Sequence, residues 1–267
     1  MNVQSPSIPD PTLHLPRILC LHGGGTNAKI FRAQCRVLIS QLKTRFRLCF
    51  ANAPFYSPAG PDVTSVYRNY APFRRWLRWK PDHPEIEAEA VIREINSSLE
   101  AEKREDDMKG ATGEWVGLMG FSQGAKVCAS ILLQQQALTQ RFGWNGSDTH
   151  YRFGILLAGR GPLISFDSRI SSPGLVSAAD LGVPGQLGVT FTCAPLLEIP
   201  TIHVHGLRDP GLELHRQLLR ESCEGWSARV VEWDGDHRVP VKTKDVGAVA
   251  SSILNVAMEI GIVGSVC

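Results

Sequence analysis

The pentapeptide Gly120-Phe-Ser-Gln-Gly124 stands between an apolar run over 114–120 and a long helix-compatible run over 125–138. A chain that passes from strand to helix across such residues must turn sharply at the serine. The glycines leave room for that turn, which forces the serine into a strained backbone conformation and holds its Oγ clear of the sheet. The pattern alone is common in Gly/Ser loops. Its place between a strand and a helix makes Ser122 a candidate nucleophile and points to an α/β fold.

The rest of the chain agrees with that fold. Short apolar runs alternate with amphipathic stretches, as in a mostly parallel central sheet flanked by helices. Strands are expected at 17–21, 46–51, 116–119, 153–158, 201–205 and 230–233, and helices at 28–42, 84–103, 125–138, 212–222 and 242–260. The 267 residues suit one α/β domain over 16–267, preceded by a flexible segment over 1–15. Two stretches break the rhythm, 52–82 with its prolines and aromatics and 159–199 with its Gly, Pro and Ser. Both are expected as long loops overhanging the strand ends, the first as a lid-like insertion.

Composition narrows the function classes. A net charge of +2 with 20% charged residues offers no concentrated basic face for nucleic acid. The seven cysteines are scattered, odd in number and without a C-x-x-C pair, which argues against a disulfide framework or a zinc site. Cys20, Cys49 and Cys128 lie in apolar stretches and read as core. The polar, proline-rich N-terminus lacks the pattern of a signal peptide, and no run of 18 apolar residues suggests a membrane span. Reduced thiols in a cytoplasmic protein needing no cofactor or metal are the simplest expectation.

A serine nucleophile needs a base for its proton, an acid to orient that base, and donors for the oxyanion. The order Ser, acid, His along the chain places the acid after the penultimate strand and the histidine after the last. Asp209 in His205-Gly-Leu-Arg-Asp209 and His237 in Asp234-Gly-Asp-His237 fill those places. Alone, Asp209 reads as a helix cap near Gly211 and His237 as a turn histidine. Asp236 diverges from its neighbour His237, and Asp234 and Asp180 are fallback acids. One oxyanion donor is expected from the backbone N–H of Gln123, at the start of the helix after the serine. The second is expected from His22-Gly-Gly-Gly25, with Gly24 favoured and Gly23 or Gly25 as alternatives. His22 itself reads as a brace for this loop. His203 and His205 resemble a metal pair, but spacing places no third ligand.

Phe55, Tyr70, Trp76 and Trp79 lie in the 52–82 segment and are the candidate substrate-binding residues. The basic run Arg74-Arg-Trp-Leu-Arg-Trp-Lys80 reads as part of the lid, with Arg74, Arg75, Arg78 and Lys80 offered to solvent or an acidic partner. Trp115, Trp144 and Trp226 are expected to serve packing.

Several of these motifs together resemble the fungal serine hydrolase family. They are Leu-His-Gly-Gly-Gly followed by Phe31-Arg-Ala-Gln34, Ala53-Pro54, Gly-Phe-Ser-Gln-Gly-Ala-Lys126, His-Gly-x-x-Asp209 and Gly-Asp-His237. The likeness runs from about Pro16 to the last helix and implies the α/β-hydrolase fold, with triad roles for Ser122, Asp209 and His237. Gly-Ala-Lys126 and Leu157-Ala-Gly-Arg-Gly-Pro162 look like the branch found with fungal polyketide synthases. That branch is similar to the lovastatin-pathway thioesterase and to the citrinin and azaphilone esterases. Pro54-Phe55 stands where relatives often carry Pro-His. The resemblance implies a thioesterase or esterase that releases or trims a polyketide, acting on a small-molecule acyl ester or thioester, with an acyl carrier domain as partner. A carboxylesterase or deacetylase for a small hydroxylated metabolite is the alternative, and a non-catalytic binding protein on the same scaffold a more distant one.

Overall fold

Three strands, β1 (Arg17–Leu21), β6 (Phe153–Leu157) and β7 (Thr201–Gly206), are buried at every position. Strands covered on both faces read as near-continuous apolar runs, as β1 from Ile18 and β6 do, whereas β7 alternates Ile202 and Val204 with the buried polar residues Thr201, His203 and His205. In the computed structural model, which describes residues 10–61, 63–167, 169, 174–182 and 196–264, they belong to one six-stranded parallel sheet.

In chain order the elements are β1, α1 (Ala28–Gln34), α2 (Arg36–Leu42), β2 (Arg47–Ala51), β3 (Phe55–Tyr56), α3 (Val63–Tyr67), β4 (Arg74–Arg75) and α4 (Ala88–Met108). They continue with β5 (Trp115–Phe121), α5 (Gln123–Phe142), β6, β7, α6 (Leu212–Ser222), β8 (Ala228–Trp233) and α7 (Thr243–Glu259). The sheet order is β2-β1-β5-β6-β7-β8. Successive strands are laid to one side of β1 and then to the other, so a crevice opens at the carboxyl ends of β1 and β5. One face is covered by α4, α5 and α6 through Ile95, Leu99, Val127, Ile131 and Leu218. The opposite face is covered by α1, α2 and α7 through Phe31, Leu38, Leu42, Val249 and Ile253.

The helix expected over 28–42 is two helices. Asn27 caps the first by accepting the Ile30 N–H, and the chain leaves helical geometry at Cys35 (φ −82°, ψ 6°). The helix expected over 84–103 starts at Ala88, because the turn at Lys80–Pro84 leaves the chain extended through Glu87 (ψ 143°). It runs on to Met108 because Asp106 in its last turn is buried against the sheet, bonded to Arg47 at 2.7 Å and to Arg17 at 3.5 Å. That tertiary anchoring outweighs the charge run that made the segment look like its end.

The segment expected to be flexible over 1–15 is pinned from residue 10 onward. Arg47 donates to Asp10 Oδ2 and to Thr12 Oγ1, each at 2.6 Å, and Leu13 O accepts from Thr112 N. Residues 1–9 lie outside the described residues. The 52–82 stretch is structured as well. β3 pairs antiparallel with β4, and Arg74 exchanges backbone hydrogen bonds with Gly25 (2.8 Å) and Thr26 (2.7 Å) in the loop after β1. Only parts of 159–199 are described; there Gly182 N–H donates to Arg78 O.

Cys20, Cys49 and Cys128 are buried free thiols, as are Cys35 and Cys223. Trp115 packs beneath the Arg17 guanidinium, but Trp144, which stacks on His150, and Trp226 are exposed (66% and 69%) rather than part of the core. Among the described residues no helix is long and apolar enough to cross a membrane.

Candidate active site

Ser122 sits in the turn between β5 and α5 with φ 53° and ψ −111°, a region that L-residues avoid. The two flanking glycines are both required sterically. A Cβ on Gly120 would overlap the Gly124–Ala125 backbone, and one on Gly124 would overlap the carbonyl of Leu21. The serine N–H donates to Leu157 O at 2.8 Å, fixing the turn against β6.

Two other strand ends deliver the partners. The loops after β7 and β8 are laced together, Leu207 N–H to Trp233 O at 2.9 Å and Arg208 N–H to Gly235 O at 2.8 Å. Gly206 permits this, since a Cβ there would meet the Gly235 and Asp236 carbonyls. The outcome is a chain of short contacts. Ser122 Oγ is 3.0 Å from His237 Nε2, and His237 Nδ1 is 2.6 Å from Asp209 Oδ2. In that geometry the imidazole donates from Nδ1 to the carboxylate and presents Nε2 to the serine hydroxyl.

Asp209 divides its two oxygens between partners. Oδ1 accepts the Gly211 N–H at 2.7 Å near the start of α6, and Oδ2 faces the imidazole. Burial opposes ionisation of this carboxyl. The hydrogen bonds from His215, His237 and Gly211 outweigh burial and hold it well below the usual carboxylate range. The fallback acids lie elsewhere: Asp234 and Asp236 are exposed and pair with Arg208 and Arg238, and Asp180 accepts from Ser177 N.

His215 went unnoticed in the sequence. It is fully buried on α6, with Nε2 2.9 Å from Asp209 Oδ2 and Nδ1 2.9 Å from Gly159 O. The two contacts tie α6 both to the loop after β6 and to the acid that faces His237. Its position six residues past Asp209, on the inward face of an amphipathic helix, was the one available signal. Asp209, His215 and His237 also have the proximity of a three-ligand cation site. Their donor atoms are spent on one another at 2.6 and 2.9 Å, closer than the roughly 3.3 Å that two ligands of a zinc-sized ion keep. The set fits a hydrogen-bonded array and not a metal centre.

Around the serine, the amides of Gln123 and Gly24 have no protein acceptor among the described residues. Gly25 cannot share that role, because its N–H is committed to Arg74 O at 2.8 Å. Gly23 O accepts from Thr26 Oγ1 and His22 Nδ1, at 2.7 and 2.8 Å, which shapes the loop. His22 spans two loops, since its Nε2 accepts the Ala53 N–H at 3.0 Å. Burial pushes its pKa down to about 4, against the pull of the Gly23 hydrogen bond, so the ring is neutral and both nitrogens are used. His203 and His205 are likewise buried, which lowers them to about 3 and about 4. His203 bonds to Thr201 Oγ1.

The Gln123 side chain also went unread in the sequence. Its Oε1 accepts from Trp76 N (2.7 Å) and Leu77 N (3.1 Å), and its Nε2 donates to Leu77 O (3.1 Å). The residue that follows the serine therefore clasps the β4 segment over the elbow.

These groups border a cavity of about 710 Å³ lined by Ser122, Gln123, Gly24 and His237. Of the four aromatic residues expected to bind substrate, Trp79 lines it and three do not. Trp76 is fully buried, with its Nε1 donating to His22 O at 2.8 Å, so it is a structural wedge. Phe55 packs on the core beneath Arg75 (4.9 Å), and Tyr70 packs edge-on against Tyr67. Tyr67 faces the cavity instead. The basic run is not a free charged face either. Arg75 is buried (3% exposed), Arg74 donates to the Ala53 and Pro54 carbonyls, and Arg78 pairs with Glu85. Aromatic spacing in an irregular segment carries no period from which to read direction, and here it misled.

A serine in a strained strand–helix turn, facing a His–Asp pair from the next strand ends, defines the class of α/β-hydrolase enzymes. A family model described as "Serine hydrolase (FSH1)" matches residues 12–249, and the chain belongs to that family. The esterase pigG of Monascus ruber is 55% identical over 260 residues, which cover 95% of each chain. The esterase citA of the same organism is 56% identical over 256 residues, 94% of this chain and 96% of its own. Among solved structures, a Bacillus cereus carboxylesterase matches with a TM-score of 0.50 at 14% identity, covering 92% of this chain and 91% of its own. That likeness bears on the fold alone. The protein is a serine hydrolase of the esterase type.

Proposed function

We propose that the chain hydrolyses an acyl thioester or ester of a polyketide, with Ser122 as nucleophile, His237 as general base and acid, and Asp209 as the group that orients it. The observation that carries this reading is the Ser122–His237–Asp209 chain at 3.0 and 2.6 Å on the wall of the cavity. The polyketide assignment rests on the branch motifs around Lys126 and Arg160. Ser122 Oγ attacks the acyl carbonyl as His237 Nε2 takes its proton, and the oxyanion accepts from the Gln123 and Gly24 amides. Collapse breaks the bond to the leaving sulfur or oxygen, which takes the proton from His237. Water then attacks the acyl-enzyme, giving its proton to His237 and releasing the acid and free Ser122.

If the donor is an acyl carrier domain, its pantetheine arm enters past α3 and the 233–242 loop, which border the opening. The test compares kcat/KM for an acyl-N-acetylcysteamine thioester and the matching oxygen ester. A thioester preference of tenfold or more supports acyl release from a carrier, and an oxygen-ester preference assigns the enzyme to free esters. Wild-type turnover that Ser122→Ala leaves intact would remove the serine mechanism altogether.

A further inference from the structure

The inner wall of the cavity is furnished with donors that have nothing to donate to. Lys126 lies one turn into α5 and lines the cavity. It is partly buried, it makes no ion pair or hydrogen bond from its amine among the described residues, and burial lowers its pKa to about 8 although Asp180 pulls the other way. Arg160, in the loop after β6, lines the same cavity. Its Nε has no partner, and its nearest carboxylate oxygen, Asp209 Oδ1 at 3.8 Å, already serves Gly211. The acids that reach the cavity, Asp234 and Asp236, are exposed and paired with arginines.

An ammonium held out of water without a counter-charge is costly, and a cation in the first turn of a helix also opposes the helix dipole. Space has moreover been kept for the guanidinium: a Cβ on Gly211 would overlap Arg160. His237 must reach the leaving atom, so the leaving group lies along the 233–242 side and the acyl chain along α5, where Lys126 stands.

We infer that Lys126 and Arg160 form an anion subsite for the acyl chain. Its ligand is a delocalised oxygen anion, a carboxylate or the enolate of a 1,3-dicarbonyl, placed a few bonds from the scissile carbonyl. This rests on the hydrolase reading above and adds the substrate class. Lys126 and Arg160 are then specificity residues that hold the chain while Ser122 reacts.

The experiment uses p-nitrophenyl esters of similar length: pentanoate, the monoester of glutaric acid, and 3,5-dioxohexanoate. Wild-type enzyme is expected to favour one or both acidic esters over pentanoate by about tenfold in kcat/KM, mainly through KM. Lys126→Met should cut that selectivity ratio at least tenfold, Arg160→Met should cut it less, and Lys126→Arg should keep part of it. Which acidic ester loses more tells carboxylate from enolate. Wild-type preference for pentanoate, or an equal loss on all three esters in Lys126→Met, overturns the subsite. Free glutarate and acetylacetone give a reading that needs no variant: at least one should inhibit pentanoate hydrolysis competitively, and inhibition by neither at tens of millimolar also overturns the subsite. Failure of wild type on every ester would sink the hydrolase reading instead, a separate result.

Discussion

Replacing Ser122 by glycine should make the protein more stable than replacing it by alanine. Both changes remove Oγ and its 3.0 Å contact with His237, so that loss cancels in the comparison. What differs is the backbone. At φ 53° and ψ −111° an L-residue is strained by about 1–3 kcal/mol, and glycine is not. Glycine's larger unfolded-state entropy takes back roughly 0.5–1 kcal/mol. The balance favours Ser122→Gly by about 1 kcal/mol, and for a domain of this size that is roughly 2–4 °C in Tm. The usual order in an unstrained turn or helix is the reverse. Urea unfolding of the two variants, followed by circular dichroism, measures the difference directly. A glycine variant equal to or less stable than the alanine variant would refute the idea that the elbow stores strain. Both variants should lose ester hydrolysis by several orders of magnitude.

Other consequences of the site can be tested separately. His22, His203 and His205 are held neutral in the folded chain, at about 4, 3 and 4 against 6.5 when exposed. The unfolded chain therefore takes up protons first on acidification. Their stabilisation is full above pH 6.5 and is lost as pH falls toward 4, by up to about 2 kcal/mol each at pH 5. Asp10, lowered to about 2 by its hydrogen bonds to Thr12 and Arg47, contributes only in a more acidic range. Urea midpoints that stay constant from pH 7 to pH 5 would contradict this. His215→Leu strips Asp209 of one donor and leaves the Gly159 carbonyl unpaired, so stability should fall by about 3 kcal/mol. It should lower kcat more than it raises KM, with His215→Gln recovering part; unchanged kcat would show that Asp209 needs only one imidazole. Gln123→Ala frees two backbone N–H groups and one carbonyl of the β4 segment, for a loss of about 2–3 kcal/mol by thermal unfolding and a raised KM.

The fold was legible wherever burial imposed a period or an unbroken run. The strands at Arg17, Phe153 and Thr201 and the helix at Leu212 appear within a residue or so of expectation. Boundaries were lost where distant partners decide them, as with the last turn of α4 held through Asp106. In the site, Ser122, Asp209 and His237 could be proposed because each stands at a strand end, where topology dictates position. His215 could not, since its partner Gly159 comes from another loop. Nor could the inward turn of Trp76, which depends on the carbonyl of His22. Neither contact leaves a local pattern in the chain.

The clasp made by Gln123 has an evolutionary consequence. One side chain ties the segment bearing Trp76 and Leu77 to the residue that follows Ser122, so that part of the wall cannot be remodelled without disturbing the Ser122 turn. Variation in what the enzyme accepts is channelled to positions without such ties. Val66 and Val241 are exposed and border the opening. Substitutions there can alter the size and shape of acceptable acyl chains while the chemistry stays fixed, which makes them the natural first positions for a library seeking new substrates.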